Sequence, residues 1–263
     1  MERYTCEILD SYKVQGTAST PASENLFIVK SDSPKLDSDQ ADEFHSRVAK
    51  LLFLCKRVRP EILTAVGFLT TRVQAPPLED DWNKLDRVLK YLNGAPHMGI
   101  VLSPDRDLSL LVYVDASYGV HCDAKSHTGM SIALGKGPIF AKSSKQRLVS
   151  KSSTEAELIG LSDSATQAIW TRNFLEQQGY NIGPATIYQD NQSAMQLAAN
   201  GRSNSERTRH IHIRYYFVKD RVESGELQIK YMPTKLMIAD ILTKPLQGEL
   251  FRALRALLLN WED

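Results

Sequence analysis

LLVYVD, residues 110–115, is the most apolar strand-like run of the chain, and it ends in an acid. Burying a carboxylate without a partner is costly, so something must stabilise the charge of Asp115. The stretch ATIYQD, residues 185–190, repeats the arrangement: an apolar strand, then Asp190, then a helix. Two such strands lying side by side would bring the acids at their ends together. Around Leu110–Val114 the short apolar runs Met130–Leu134 and Pro138–Ala141 are broken by Gly- and Ser-containing turns, which predicts three strands in hairpin succession. A long helix over Thr154–Gln178 follows, then the strand Ala185–Gln189, a short helix from Asn191, a helix over Thr208–Glu223 and a strand over Glu226–Met232. The order β-β-β-α-β-α-α-β-α predicts an α/β fold, a mixed sheet with helices packed on it.

Upstream the period changes. Phe44, Val48, Leu51, Leu52 and Cys55 recur at helical spacing; Pro60 opens a second run through Ile62, Val66 and Leu69; Trp82, Leu85, Val88, Leu89 and Leu92 mark a third, stopped by Gly94. These three amphipathic helices carry no chemical constellation and read as a packing or substrate-guiding unit. Residues Gly16–Asp39 are rich in Ser, Thr, Pro and Asp and read as an irregular connector. The expected organisation is an irregular segment over 1–39, a smaller helical segment over 40–104, the α/β domain over 105–248 and a helical tail over 249–263.

With 263 residues, 42% hydrophobic and 24% charged, the chain is expected to be globular and has apolar material for two cores. Thirty-two Lys and Arg balance thirty-one Asp and Glu, so any nucleic-acid site must rest on local patches rather than net charge. Cys6, Cys55 and Cys122 are far apart, without a CxxC pair, which argues against a disulfide framework or structural zinc and for a reducing compartment. No apolar run approaches the ~20 residues of a membrane span, and the start has no signal-peptide character. A soluble intracellular protein with no membrane partner is expected.

Two further acids belong with the first pair. Glu157 lies in the first turns of the long helix, where it can face the sheet; helical period favours it weakly over Glu155. Asp240 follows Ile238 and Ala239 at the start of the last helical stretch, inside an apolar run ending at Leu242. Each acid alone reads as a cap or surface charge, and Asp190 before its helix is an N-cap candidate in any case. As a set converging on one sheet edge, four carboxylates make an oxygen-rich cage suited to Mg²⁺ or Mn²⁺ rather than zinc. Two such ions, held about 4 Å apart, can activate a water and stabilise the leaving oxygen of a phosphodiester without a protein nucleophile.

The motifs YVDASYG around Asp115, SKSSTEAELIGLSDS around Glu157, YQDNQSA around Asp190, RTRHIHIRYYFVKD at 207–220 and MPTKLMIADILTKPL around Asp240 stand in one order. In that order they resemble the ribonuclease H domain of copia-type long-terminal-repeat retrotransposons. Upstream, AKLLFLCKRVRPEILTAV and WNKLDRVLKYLNGAP resemble the segment joining the polymerase of these elements to its ribonuclease H. The resemblance covers nearly all of residues 40–248. It implies a ribonuclease H-like five-stranded mixed sheet, the first three strands antiparallel, with the preceding helices a remnant of the reverse transcriptase's connection. It implies Asp115, Glu157, Asp190 and Asp240 as catalytic, metal-binding acids, with Glu155 a residue of the helix's first turn or surface. It further implies two Mg²⁺ ions, replaceable by Mn²⁺, hydrolysis of RNA paired to DNA to leave 3′-hydroxyl and 5′-phosphate ends, and the polymerase part of a parent polyprotein as partner. A cytoplasmic setting, including a virus-like particle with access to the nucleus, goes with it. Cellular relatives place a mobile histidine before the last acid; the corresponding loop here, Pro233–Met237, has none.

Substrate contacts are expected from Lys142, Lys145, Arg147 and Lys151, near the third strand, and from Arg202, Arg207, Arg209 and Arg214, which can track two phosphate backbones. Ser152, Ser153, Asn191 and Gln192 adjoin the acids and can meet sugar or phosphate. His210 and His212 point roughly 200° apart on a helix and make poor joint ligands, so packing or a phosphate contact suits His210 better. His121, Cys122 and His127 lie in a hairpin and read as turn residues rather than a metal cluster. Tyr113-Val114-Asp115 is followed by Ala116, which removes the second aspartate a polymerase YxDD motif needs. The competing reading is a non-catalytic RNA- or hybrid-binding scaffold; an integrase-like DNA-cleaving core is a third.

Overall fold

The computed structural model describes residues 1–103, 108–200 and 209–261, with backbone alone at residues 200 and 209–212. Five strands form one sheet: β1 (Leu110–Ser117), β2 (His127–Leu134), β3 (Pro138–Lys145), β4 (Ala185–Gln189) and β5 (Leu227–Tyr231), in the spatial order β3-β2-β1-β4-β5. The β1–β2 and β2–β3 pairs are antiparallel; β1–β4 and β4–β5 are parallel. The expected mixed sheet, antiparallel in its first three strands, is therefore observed. Period-two alternation turns Leu110, Val112 and Val114 to one face, where they pack with Leu158, Leu161, Ala165 and Ala168 of the long helix. Full burial of each such Leu or Val contributes about 1.5–3 kcal/mol.

Four helices precede the sheet: α1 (Glu2–Ser11), α2 (Ser38–Cys55), α3 (Leu63–Val73) and α4 (Glu79–Gly94). The long helix is α5 (Ser153–Gln177); α6 (Gln192–Asn200), α7 (Arg209–Glu223) and α8 (Gly248–Leu259) complete the helices of the described residues. Asp37 starts α2 with a reciprocal capping box: its carboxylate accepts from the Gln40 N–H while the Gln40 side chain accepts from its own. A second core joins α1–α4 to the C-terminal part of the chain: Phe44, Leu51, Val66, Leu69, Val88 and Leu92 cluster with Ile241, Leu242, Phe251, Leu254 and Leu258.

Four expectations need correction. Residues 1–39 are not irregular throughout, since α1 buries Ile8 and Leu9; a ten-residue helix offers too few periods to stand out. The 249–263 stretch is helical but is no tail, because Phe251, Leu254 and Leu258 are core residues. Strand β1 does not end at Asp115 but continues to Ser117, with Asp115 paired opposite Gly129. Asp240 does not begin the last helix: it lies in a separate 3-10 turn, Ile238–Leu242, and Pro245, which cannot donate to a helical ladder, separates this turn from α8. Among the described residues, no helix is long and apolar enough to cross a membrane.

Candidate metal centre

The register of β1 against β4 pairs Leu111 with Thr186, Val112 with Ile187 and Tyr113 with Tyr188. Asp115 and Asp190 each stand two residues beyond the Tyr113–Tyr188 pair, so parallel pairing sets them side by side. The Ile238–Leu242 turn packs over β1 and β2 and adds Asp240. One carboxylate oxygen from each of Asp115, Asp190 and Asp240 lies within 4.8 Å of the others. Asp115 and Asp240 are 1% and 3% exposed, and Asp190 is half-buried. Among the described residues this is the one group of three or more potential metal ligands that converges.

Close approach of the turn depends on Gly129. A Cβ there would stand 2.7 Å from Leu242 Cβ, 2.7 Å from Thr243 Cγ2 and 2.9 Å from the Ala239 carbonyl oxygen. Behind the turn, the Thr64 hydroxyl of α3 donates to the Ile241 carbonyl at 2.7 Å, so the helical unit holds the segment that carries Asp240. In front, the Thr243 hydroxyl donates to Asp115, and Ser117 Oγ donates to the Thr243 carbonyl at 3.2 Å. Lys244 Nζ lies 3.0 Å from Asp240 Oδ1 and 3.2 Å from Asp115 Oδ2.

Glu157, buried in α5, accepts from Gln189 Nε2 at 3.3 Å and does not belong to the set of three within 4.8 Å. Burial, reinforced by the charges of Asp115 and Asp190, pushes its carboxyl well above the usual carboxylate range. Burial and then the Asp115 charge raise Asp240 to about 6, against the pull of Lys244. Both effects show like charges crowded at one place, the condition that a divalent cation relieves. An all-oxygen donor set of this kind fits Mg²⁺ or Mn²⁺ by ligand hardness.

Glu155, the alternative to Glu157, sits in the first turn of α5, where its carboxylate accepts from the Lys151 N–H at 2.7 Å and Ser152 Oγ caps its N–H. Asp190 does not cap α6. Asn191 does, its Oδ1 accepting from the Ala194 N–H at 3.0 Å, while Asp190 Oδ2 accepts from the Thr234 hydroxyl at 2.8 Å. The neighbouring residue's side chain thus takes the capping role and leaves Asp190 turned toward the cluster. Ser152 and Asn191 have local capping partners; Ser153 and Gln192 are exposed. Lys142, Lys145 and Arg147 line one cavity of about 370 Å³ together with Arg214. Of these, Lys145 pairs with Asp123 at 2.8 Å and Arg214 pairs with Asp163. Arg202 and Arg207, and the side chains of Arg209, His210 and His212, lie outside the described residues.

His121 lies in the turn between β1 and β2, as expected, whereas His127 is the first residue of β2. Both are buried, His121 Nε2 lies 3.0 Å from His127 Nδ1, and His127 Nε2 lies 2.7 Å from Ser143 Oγ. The Phe27 ring lies 5.0 Å and 5.3 Å from the two imidazoles, so the pair is part of the contact between the N-terminal segment and the sheet. Cys122 is exposed and free. The reading from sequence passed over Thr243, Lys244, Gln189, Thr234 and Gly129. Lys244 had a signal, its spacing four residues after Asp240; the others become visible through the pairing of distant segments.

No family model matches the chain. The strand order and helix placement define a ribonuclease H-like fold. Its likeness to the foamy viral protease-reverse transcriptase, solved in complex with RNA/DNA hybrid, has a TM-score of 0.50 at 15% identity, over 89% of this chain and 27% of that one. By sequence the chain is 34% identical over 254 residues to the retrovirus-related Pol polyprotein from transposon RE2 of Arabidopsis thaliana, covering 95% of this chain. It is 37% identical over 212 residues to the corresponding polyprotein from transposon RE1 of the same plant, covering 80%. The chain corresponds to one segment of retrovirus-related transposon Pol polyproteins, and it spans 17% and 14% of the length of these two relatives.

Proposed function

We propose that this chain is the ribonuclease H of a copia-type reverse transcriptase, a metal-dependent endonuclease that hydrolyses the RNA strand of an RNA–DNA hybrid. The observation that carries the reading is the meeting of Asp115, Asp190 and Asp240 within 4.8 Å at the inner strands β1 and β4, with Glu157 buried beside them. These four acids would hold two Mg²⁺ or Mn²⁺ ions. Bound there, such ions supply the charge that activates a water and stabilises the departing 3′ oxygen, leaving a 5′-phosphate on the other product. The chain's own residues fix the acids: Thr243 orients Asp115, Gln189 orients Glu157 and Thr234 restrains Asp190. Lys142 and Arg147, exposed beside the cavity of the third strand, would follow a phosphate backbone, with Lys145 and Arg214 released to do so only by leaving their acidic partners. The foamy viral relative in fold was solved with RNA/DNA hybrid, which supports the same substrate class here. The polymerase part of the parent polyprotein would deliver that hybrid, in the cytoplasm or a virus-like particle.

The test is a labelled RNA–DNA hybrid incubated with Mg²⁺ and the wild type, Asp115→Asn or Asp190→Asn. Cleavage should fall by at least about a hundredfold in each variant, the scale of losing a group that stabilises developing charge, while hybrid binding persists. Wild-type protein that binds hybrid without cutting it would make the domain a scaffold. Equal cutting of duplex DNA would move it to the integrase-like class.

A further inference from the structure

The ammonium group of Lys244 is the unexpected member of the acid cluster. It bridges Asp240 Oδ1 at 3.0 Å and Asp115 Oδ2 at 3.2 Å, two carboxylates that are otherwise almost fully buried. The lysine side chain itself is 36% exposed, so solvent reaches it although its ammonium sits between the two acids. Its backbone is less free. The Lys244 N–H donates to the Asp240 carbonyl at 2.9 Å, and the Thr243 hydroxyl next to it is fixed on Asp115. The fold therefore anchors the base of a long cationic side chain beside two acids, while its tip is held by ion pairs to those acids alone.

Resting on the metal-binding reading of these acids, we propose that Lys244 is a tethered cation that competes with a divalent ion for Asp115 and Asp240 and thereby sets the affinity of the site. The carboxylates it holds are two of the three that converge, and an ammonium cannot sit at contact distance from a doubly charged ion on the same carboxylates without strong repulsion. Ion entry must then expel Nζ toward solvent, a path that its partial exposure leaves open. The arrangement has two consequences. The acid cage is kept from flying apart by charge repulsion, and the affinity for metal is lower than the carboxylates alone would give. Lys244 is a positioning residue in this scheme: it acts on metal through the acids.

The direction of the effect separates this role from a structural one, because a residue that merely shapes the cage would weaken metal binding when removed. Mn²⁺ affinity is to be measured by calorimetric titration at pH 8 for wild type, Lys244→Met, Lys244→Arg and Asp115→Asn. Lys244→Met should bind Mn²⁺ about tenfold more tightly, equivalent to about 1.4 kcal/mol, and Lys244→Arg should stay near wild type because it keeps the charge. Unchanged or weaker binding by Lys244→Met overturns the proposal. A wild type that takes up no Mn²⁺, like Asp115→Asn, defeats the metal reading itself, and the proposal with it. Should Lys244→Met not fold, acetylation of Lys244 in the wild type, followed by peptide mass spectrometry, gives the answer: labelling should rise several-fold on adding Mn²⁺, and unchanged labelling refutes the competition.

Discussion

Replacing Gly129 by alanine is the sharpest test of how the acid cluster is assembled. A methyl group there would meet Leu242 Cβ and Thr243 Cγ2 at 2.7 Å each and the Ala239 carbonyl at 2.9 Å, where ordinary contact begins at 3.4 Å. Relief requires a retreat of about 0.7 Å, the gap between those distances. None of the three atoms is the far end of a flexible chain, so the Ile238–Leu242 turn must move as a body, and Asp240 moves with it. Overpacking of this kind costs about 1–3 kcal/mol, and for a chain of this size a loss of about 2 kcal/mol lowers Tm by about 6 °C. The chemical penalty should exceed the structural one, since a misplacement on the order of 1 Å at a reacting centre costs roughly a hundredfold. Gly183→Ala is the control, because a Cβ there meets nothing within 4 Å. Thermal unfolding, Mn²⁺ titration and hybrid cleavage on both variants complete the assay. If Gly129→Ala matches Gly183→Ala in Tm, metal affinity and cleavage, the close seating of the turn on β2 is not what positions Asp240.

Glu157→Gln should raise Tm at pH 8 without added metal. The buried carboxyl is pushed up by desolvation and by Asp115 and Asp190, so its ionised form costs stability, while the amide oxygen can still accept from Gln189. The same change should abolish cleavage, and a lower Tm would mean that the charge is not repelled. The His121–His127 pair predicts sensitivity to acid. Burial holds the two imidazoles near 4 and 3, below the ordinary 6.5, so between those limits the unfolded chain binds more protons and stability falls as pH falls. From pH 8 to pH 5 this amounts to about 4 kcal/mol for the pair, from the linkage relation. Urea unfolding of wild type and His121→Gln across that range should show a shallower decline in the variant; parallel curves would remove the pair from the acid response.

The sheet was legible because its strands are short apolar runs separated by turn residues, and local pattern is enough for that. Two of the acids were legible for a related reason: Asp115 and Asp190 follow apolar strands, and parallel pairing of neighbours is common in such folds. The neighbourhood of Asp240 was not, because it is made by segments far apart in sequence. Gly129 lies opposite Asp115 and admits the turn, while Thr64, 177 residues before Ile241, holds it from behind. The N-terminal helices look chemically silent, as their residues form no chemical constellation. Their contribution is made through a hydroxyl on a carbonyl and through apolar side chains that pack with Ile241 and Leu242. A cluster of mutually repelling carboxylates can persist only where its backbone is held by something else, and here part of that restraint comes from outside the sheet that carries Asp115 and Asp190. The helical unit and the acid cluster are thus mechanically one device, joined at the turn after β5.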